Sequence, residues 1–467
     1  MSDSEENEQI ARAMALSLQG LEAKLSQEEQ ERLDLKNAIA ASLGKTVDQL
    51  TARDMLLADT PAKPSLKRER EEDTTSGRHR VLKRFDNSES QFWNGVVKLT
   101  YIKGFIGPDY IRFKDIVQKV KSEKLKKAVI TAFVCSMDFI NDNFPMDVNL
   151  CIVTHGRPAM QRQVHSHRVI IQPPLKDEKF GVFHPKLMLL FYGTSMRVVI
   201  GSANMERYDY EELENVVFIQ DFPKLDRPCK SIAELPRFAR DICDLLDHMR
   251  VPVSVKQELL QYNFEKAKAH IVASVSGVFE GEEQYKKYGH TRLADVVQEI
   301  TGFNLDPKDY PKVEMQTSSL GSLSVLYLNE LYKSFCGLPA YANGRATGTI
   351  LKKNELPPID VVYPTRETVE FSRLGPPGAA TIPNAVSKNS KNKAKGWVYC
   401  GSHNATVSAW GKFTVSRDSK QPKMNISNWE LGVVLPIYEE TDIPAPYLRP
   451  PPRYQSNQDA WTQNMEW

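Results

Sequence analysis

Two short stretches of this 467-residue chain hold residues that can work on a phosphate, at a spacing that repeats. The first is His184-Pro185-Lys186, followed after Arg197-Val198-Val199-Ile200 by Gly201-Ser202-Ala203-Asn204. On an extended chain residues two apart point the same way, so His184 and Lys186 share a face. An imidazole beside an ammonium that neutralises phosphate oxygens is suited to nucleophilic attack on phosphorus. The Gly-Ser turn adds an amide, Asn204, that can bind oxygen or orient the histidine. The second stretch repeats the turn as Gly401-Ser402-His403-Asn404, between Trp397-Val398-Tyr399-Cys400 and Ala409-Trp410-Gly411.

The surrounding sequence must position these groups. Short apolar runs alternate with charged helical stretches, which is the α/β signature of a sheet covered by helices. Four runs read as buried strands: Ala132-Phe133-Val134-Cys135, Leu150-Cys151-Ile152-Val153, Leu187-Met188-Leu189-Leu190-Phe191 and Val198-Val199-Ile200. Leu235 to Arg250 reads as a helix, with Pro236 acceptable in its first turn. Beyond each Gly-Ser-x-Asn comes a further strand-like segment, Asn215-Val216-Val217-Phe218 and Glu430-Leu431-Gly432-Val433-Val434. Two halves built alike imply a duplicated fold with one site at their junction.

Composition sets wide bounds. The chain has room for two or three domains, and a net charge of +2 averages over strong local charge. No apolar run approaches the length of a membrane span, and the acidic start Ser2-Asp3-Ser4-Glu5-Glu6 does not read as a signal peptide. Six cysteines are scattered, several inside apolar runs, which suits small core residues of a reduced, intracellular protein. No cofactor is expected, and no carboxylate–histidine cluster has the spacing of a metal site.

The first 45 residues carry an internal repeat. Ile10, Ala13, Met14, Ser17 and Leu18 recur as Leu35, Ala38, Ile39, Ser42 and Leu43, on one helical face each time and with acidic residues ahead of each copy. This pattern resembles the ubiquitin-interacting motif, and by that resemblance Ile10, Ala13, Ser17, Leu35, Ala38 and Ser42 would meet ubiquitin. A short coiled coil or a helix packed on the main body is the alternative. Residues 46–90 read as a disordered linker of dense charge, with Lys67, Arg68, Arg70, Arg78, Arg80, Lys83 and Arg84 able to meet an importin or a phosphate backbone.

Taken together, the His-x-Lys, the repeated turns and the matching strands resemble the phospholipase D superfamily. Its motif is His-x-Lys, four residues, Asp, and a later Gly-Ser-x-Asn. Phe191 stands at the Asp position, and with Asn204 and Asn404 retained this looks like the tyrosyl-DNA phosphodiesterase branch. Supporting text includes Phe180-Gly181, Gly289-His290, Ser318-Ser319-Leu320-Gly321-Ser322, Tyr363-Pro364-Thr365 and Trp429-Glu430-Leu431-Gly432-Val433. The resemblance runs from Phe92 to Leu448. It implies two similar phospholipase D-like α-β-α domains, 91–269 and 270–448, with the active site at their junction; the expected helices in 1–45 and a tail at 449–467 lie outside it.

The same resemblance implies a nuclear DNA-repair enzyme without a metal. His184 would attack the phosphorus joining a DNA 3′ end to a tyrosine of trapped topoisomerase I, forming a phosphohistidine that water resolves. Lys186, Asn204 and Asn404 would bind or orient the phosphate. Glu430 would sit behind the second catalytic histidine, with Asn215 in the matching place of the first half. Phe180 would stack on a base, and Ser318, Ser319, Gly321, Ser322 and Ser402 would contact DNA. The family's second His-x-Lys should lie between Thr381-Ile382 and Trp397, yet that segment holds no histidine. A stretch skipped in the coding sequence, an adaptor that only binds DNA ends and ubiquitin, or substitution by His403 each fit this absence. A lipid-cleaving phospholipase is disfavoured by Phe191. His155, His165, His167 and His290 read as ordinary histidines, with substrate contact left open for His290.

Overall fold

In a computed structural model, residues 91–461 are described apart from 104–106, 119–122, 303–309, 343, 349, 352–354, 373, 376–383, 389–395, 439–443 and 448–450. The expected ubiquitin-interacting helices in 1–45, the expected linker 46–90 and residues 462–467 lie outside the described residues. Among the described residues no helix is long and apolar enough to cross a membrane.

Nine strands of the first half form one mixed sheet: β1 (Val96–Thr100), β2 (Tyr110–Ile111), β3 (Lys127–Ala132), β4 (Asn149–Thr154), β5 (Met160–His165), β6 (Arg168–Gln172), β7 (Leu187–Phe191), β8 (Ser195–Gly201) and β9 (Val216–Pro223). Their order is β2-β1-β9-β8-β7-β3-β4-β6-β5. The second half contributes β10 (His270–Ser274), β11 (Gly277–Glu280), β12 (Val313–Gln316), β13 (Tyr341–Ala342), β14 (Arg345–Ala346), β15 (Ile359–Val362), β16 (Asn384–Lys388), β17 (Gly396–Gly401), β18 (Lys412–Val415), β19 (Pro422–Ile426) and β20 (Glu430–Ile437). Its main sheet has the order β10-β20-β17-β16-β12-β15.

The duplication is explicit in strand order and direction. In the first sheet β1-β9-β8-β7-β3 pair antiparallel in turn and β3 pairs parallel with β4. In the second, β10-β20-β17-β16-β12 pair antiparallel and β12 pairs parallel with β15. The register carries the match to single residues. Gly201 faces Val217 and Gly401 faces Gly432, which sets Asn215 equivalent to Glu430 by count. Two isolated bridges, Cys135 to Met205 and Leu320 to Ala405, are the same contact in the two halves.

Strands β7 and β8 are buried along their whole length, which is why β7 and the Val198–Ile200 part of β8 read as unbroken apolar runs. Leu187, Leu189 and Phe191 face a core that also holds Trp429, Leu431 and Val433 of the second half. Met188 and Leu190 face an outer core with Phe113, Ile116, Phe139 and Phe144. Leu293, Val297, Leu331 and Phe335 cover the outer face of the second sheet against Val272, Tyr399 and Val434. Each large apolar side chain taken from water contributes roughly 1.5–3 kcal/mol, so the shared core holds the halves in one arrangement.

The expected helix is found at Arg237–His248, and its buried Phe238, Ile242, Leu245 and Leu246 recur at helical spacing. One expected strand is misplaced: the strand ends at Ala132, and Phe133-Val134-Cys135 runs on as a loop. The apolar stretch outlasts the strand because Val134 N–H turns to the Asn204 side chain at 3.3 Å and Ser136 caps the helix Met137–Asn143. The expected tail is also anchored in part. Trp461 N–H donates to the Pro364 carbonyl and the Tyr454 hydroxyl donates to the Tyr363 carbonyl at 2.7 Å.

Candidate active site

The site lies where the carboxyl ends of β3 and β4 meet the amino end of β7, at the seam with the second half. Open sheets characteristically bind ligands beyond strand ends. The segment before His184 is laid along the segment before Glu430. His184 N–H donates to the Trp429 carbonyl at 3.1 Å, Trp429 N–H to the Val182 carbonyl at 2.8 Å, and Val182 N–H to Asn428 Oδ1 at 3.2 Å. Gly181 makes this approach possible: a Cβ there would stand 2.7 Å from the Ser427 carbonyl oxygen and 2.8 Å from that of Asp177.

That seam brings His184 onto Glu430. His184 Nδ1 lies 2.8 Å from Glu430 Oε2 and 3.1 Å from the Ser402 carbonyl. Both neighbours are acceptors, so Nδ1 carries a proton, and in the neutral imidazole the lone pair is on Nε2. The imidazole is 14% exposed and the carboxylate 1%. Burial alone would raise the Glu430 pKa, but the interaction with His184, with the Lys186 charge behind it, brings it below the ordinary carboxylate value. Ser402 Oγ donates to Glu430 Oε2 at 2.5 Å and accepts Leu431 N–H at 3.0 Å.

Two expectations are corrected by this geometry. Glu430 stands behind the first histidine, His184, and not behind a second one. Its β20 strand crosses the seam, and the sequence alone cannot tell which histidine a buried carboxylate of the other half will reach. Ser402 is committed to holding Glu430, so its hydroxyl supports the carboxylate and does not serve as a DNA contact. The first half repeats the pairing, with Ser202 Oγ donating to Asn215 Oδ1 at 2.8 Å and accepting Val216 N–H at 3.1 Å.

Lys186 is 3% exposed, and its ammonium donates to the His184 carbonyl at 2.9 Å. Burial pushes its pKa down to about 7, with Glu430, Asp209 and Cys135 pulling the other way. An arriving phosphate would pull the same way as those three and hold the ammonium charged. Asn204 is fixed on both sides: its Oδ1 accepts Val134 N–H, and its own N–H donates to Asp209 Oδ2 at 2.6 Å. Burial raises the Asp209 carboxyl. Burial and the adjacent Asp209 push Glu206 up to about 8, so the pair retains a proton at neutral pH.

In the second half Asn404 Oδ1 accepts from Ser318 Oγ at 2.7 Å, which joins the Ser318–Ser322 loop to the site. The Ser319 carbonyl accepts Ala405 N–H, and Gly321 N–H donates to the Ala405 carbonyl at 3.0 Å, so that amide is spent within the protein. Leu320 stands 46% exposed beside it. Phe180 is half-buried four residues before His184. Its N–H donates to Asp177 Oδ1 at 3.0 Å, and the Lys179 ammonium lies 4.6 Å from its ring centre.

His403 is not a substitute nucleophile or acid. It is buried, its Nε2 lies 2.9 Å from Ser274 Oγ, its Nδ1 meets the Tyr399 hydroxyl, and its ring stacks on Trp410 at 4.2 Å. Burial drives its pKa down to about 3. His290 is also fully buried, against Ser334 Oγ at 2.9 Å and Glu330 at 3.0 Å, which removes it as a substrate contact. His165 and His167 sit on the β5–β6 hairpin, where His167 Nδ1 meets Asn149 Oδ1.

His155 departs from the expectation of an ordinary histidine. It follows β4 at the rim of the site, and its ring stacks on Phe133 at 4.9 Å. Phe133 in turn packs edge-on to His184 at 5.8 Å. Neither residue carries a sequence signal, since a strand's last residue shows nothing of which rim it meets. Counting back from the β16–β17 register gives Pro383 and Thr381 as the counterparts of Lys186 and His184. Both lie outside the described residues.

Comparison with known proteins bears on the family and the fold. The profile described as tyrosyl-DNA phosphodiesterase matches residues 96–395 and 385–465. The chain is 24% identical over 359 residues to tyrosyl-DNA phosphodiesterase 1 of Arabidopsis thaliana, covering 66% of this chain and 56% of that protein. It is 24% identical over 319 residues to the Drosophila melanogaster protein of that name, covering 59% and 52%. The chain thus spans about half the length of these curated relatives. A crystal structure of the yeast tyrosyl-DNA phosphodiesterase superposes with a TM-score of 0.53 at 18% identity, over 73% of this chain and 90% of that one.

Proposed function

Because the chain belongs to the tyrosyl-DNA phosphodiesterase family, we propose that it is a DNA-repair phosphodiesterase that uses His184 to clear adducts from DNA 3′ ends. The observation that carries this reading is the His184–Glu430 pair: a buried carboxylate holds Nδ1–H, which leaves Nε2 as the nucleophilic nitrogen, and the Lys186 ammonium lies 2.9 Å from the His184 carbonyl. The reading runs as follows. Nε2 attacks the 3′ phosphorus, a nitrogen–phosphorus bond forms, and the bond from phosphorus to the tyrosine oxygen breaks. Glu430 stabilises the positive charge that develops on the imidazole, as the carboxylate does in other oriented-histidine sites. Lys186 offsets charge on the non-bridging oxygens. Water then attacks phosphorus, the nitrogen–phosphorus bond breaks, and a 3′-phosphate and a proton are released.

Tyrosine is a good leaving group, with a phenol pKa near 10, so the first step tolerates a weak proton donor. The second step needs water to be activated, and the segment that should supply the second His-x-Lys has no histidine. General acid–base groups contribute about 10²–10⁴ in rate. The covalent adduct should therefore form quickly and resolve slowly. On this reading the 3′-phosphotyrosyl end left by topoisomerase I is the substrate, no metal takes part, the protein works in the nucleus, and the helices within 1–45 bring it to ubiquitylated adducts.

The test is a 3′-phosphotyrosyl oligonucleotide incubated with chelator, with the wild type and His184→Ala run in parallel. A product burst proportional to enzyme, followed by slow turnover and absent in the variant, supports the reading. Equal cleavage by His184→Ala would end it. For the N-terminal helices, a titration of residues 1–45 with ubiquitin that shows no binding removes that part alone.

A further inference from the structure

The rim of the first half presents one polar group that the reaction above does not use. His155 Nδ1 accepts Phe183 N–H at 3.2 Å, one residue before His184. That bond settles the tautomer: Nδ1 is the acceptor, so Nε2 carries the hydrogen. Among the described residues Nε2–H has no partner, although the imidazole is only half exposed. The ring is held flat against Phe133 at 4.9 Å and 28°, and Phe133 is the aromatic that also touches the His184 imidazole. A donor so fixed, left unpaired one aromatic ring away from the nucleophile, is preorganised for an anion.

The neighbours agree. Arg157 is anchored by a 2.8 Å bond from Nη2 to the Gly181 carbonyl, and its charge acts on His155. Burial and the Arg157 charge keep the imidazole neutral, with its pKa lowered to about 4, so it is a donor at every pH where a repair enzyme works. By strand register its counterpart in the second half is Pro364, which has no donor. The feature is therefore not a by-product of the duplication.

We propose that His155 is a third substrate-facing residue of this centre, donating Nε2–H to a non-bridging oxygen of the phosphate that His184 attacks. The assignment rests on the phosphodiesterase reading and adds a transition-state contact to it. No proton is transferred: the hydrogen stays on His155 while the equatorial oxygen gains charge, so the loss of the contact falls on kcat more than on KM.

The two nitrogens can be separated by substitution. His155→Asn places an amide oxygen where Nδ1 accepts Phe183 N–H, and leaves nothing at Nε2. His155→Gln places an amide N–H near Nε2. His155→Phe keeps the ring on Phe133 with neither. The measurement is the single-turnover burst on a 3′-phosphotyrosyl oligonucleotide, alongside anisotropy of a 3′-phosphorylated oligonucleotide. Removing one preorganised donor costs about 10²–10³ in rate. His155→Phe and His155→Asn should lose about that much in the burst, and His155→Gln should recover at least tenfold. The loss should be equal from pH 5.5 to 8.5. In the binding experiment His155→Phe and His155→Asn should weaken affinity together.

A merely structural His155 gives the reverse order, with Asn active and Gln impaired, and that outcome overturns the proposal. So does full activity in His155→Phe. Either leaves the phosphodiesterase reading standing so long as His184→Ala is inactive. A wild type that neither forms a burst nor binds the 3′-phosphate overturns both.

Discussion

Replacing Glu430 with glutamine keeps the shape of the site and removes one charge. The amide oxygen can still accept from His184 Nδ1, and Ser402 Oγ still has a partner, so the fold should survive. What is lost is attraction between a carboxylate and the imidazolium that develops as Nε2 bonds to phosphorus. The atoms are 2.8 Å apart. Unit charges at that distance attract by about 6 kcal/mol at an effective dielectric constant near 20. Part of that acts before attack, because the two groups already interact in the resting site, so roughly 4–5 kcal/mol should appear in the barrier, about 10³–10⁴ in rate. Carboxylate-to-amide exchange behind a catalytic histidine costs a similar factor in serine proteases. The assay is single-turnover cleavage of a 3′-phosphotyrosyl oligonucleotide with enzyme in excess, and circular dichroism confirms the fold. Glu430→Gln within tenfold of wild type would refute the assignment of Glu430 to His184 and with it the seam as the active site.

Further expectations follow from buried groups. Folding lowers the Lys186 pKa from 10.5 to about 7, so between those values the unfolded chain binds more protons and stability rises with pH. Lys186→Met should therefore abolish the burst yet raise stability by about 2–5 kcal/mol at pH 6, measured by urea unfolding. Folding lowers His403 to about 3 and His155 to about 4, from 6.5 in both cases. Stability from each is complete above 6.5 and is lost as pH falls towards the folded value. Between pH 6.5 and 5 the buried His403 should cost about 2 kcal/mol; His155, partly open to solvent, should cost about 1 kcal/mol or less, and His155→Phe should remove that share of the slope. Arg197 and Asp221 form a fully buried pair at 2.9 Å. Asp221→Ala strands the guanidinium and should cost about 3–5 kcal/mol, whereas an unchanged unfolding midpoint would show that solvent reaches the pair.

Much of this protein is written locally. The His184–Lys186 face, the two Gly-Ser-x-Asn turns and the buried strands Leu187–Phe191 and Val198–Ile200 could all be read from side-chain type and period. A strand buried on both faces is apolar except where a charge finds its partner, as Arg197 of β8 finds Asp221, and a tight turn beside a sheet must be small. The two-half architecture was legible for the same reason, since both halves repeat one set of local rules. The end of β3 was misread because apolar character does not distinguish a strand residue from a loop residue that packs into a site.

The partners of those groups were decided only by the tertiary structure. That Glu430 reaches His184, 246 residues away, depends on how two sheets meet at a seam, which no local pattern records. The same holds for His155, which reads as one histidine after a short apolar run. Its place beside Phe133 and Phe183 is set by the neighbouring order of β3, β4 and β7. His403 is the converse case: its position next to Asn404 suggests chemistry, and only burial against Tyr399, Ser274 and Trp410 shows that it is structural. Residue type and spacing determine which chemistry is available. The long-range packing of strand ends determines which groups share a phosphate, because a few ångströms between side chains depend on hundreds of residues of intervening chain.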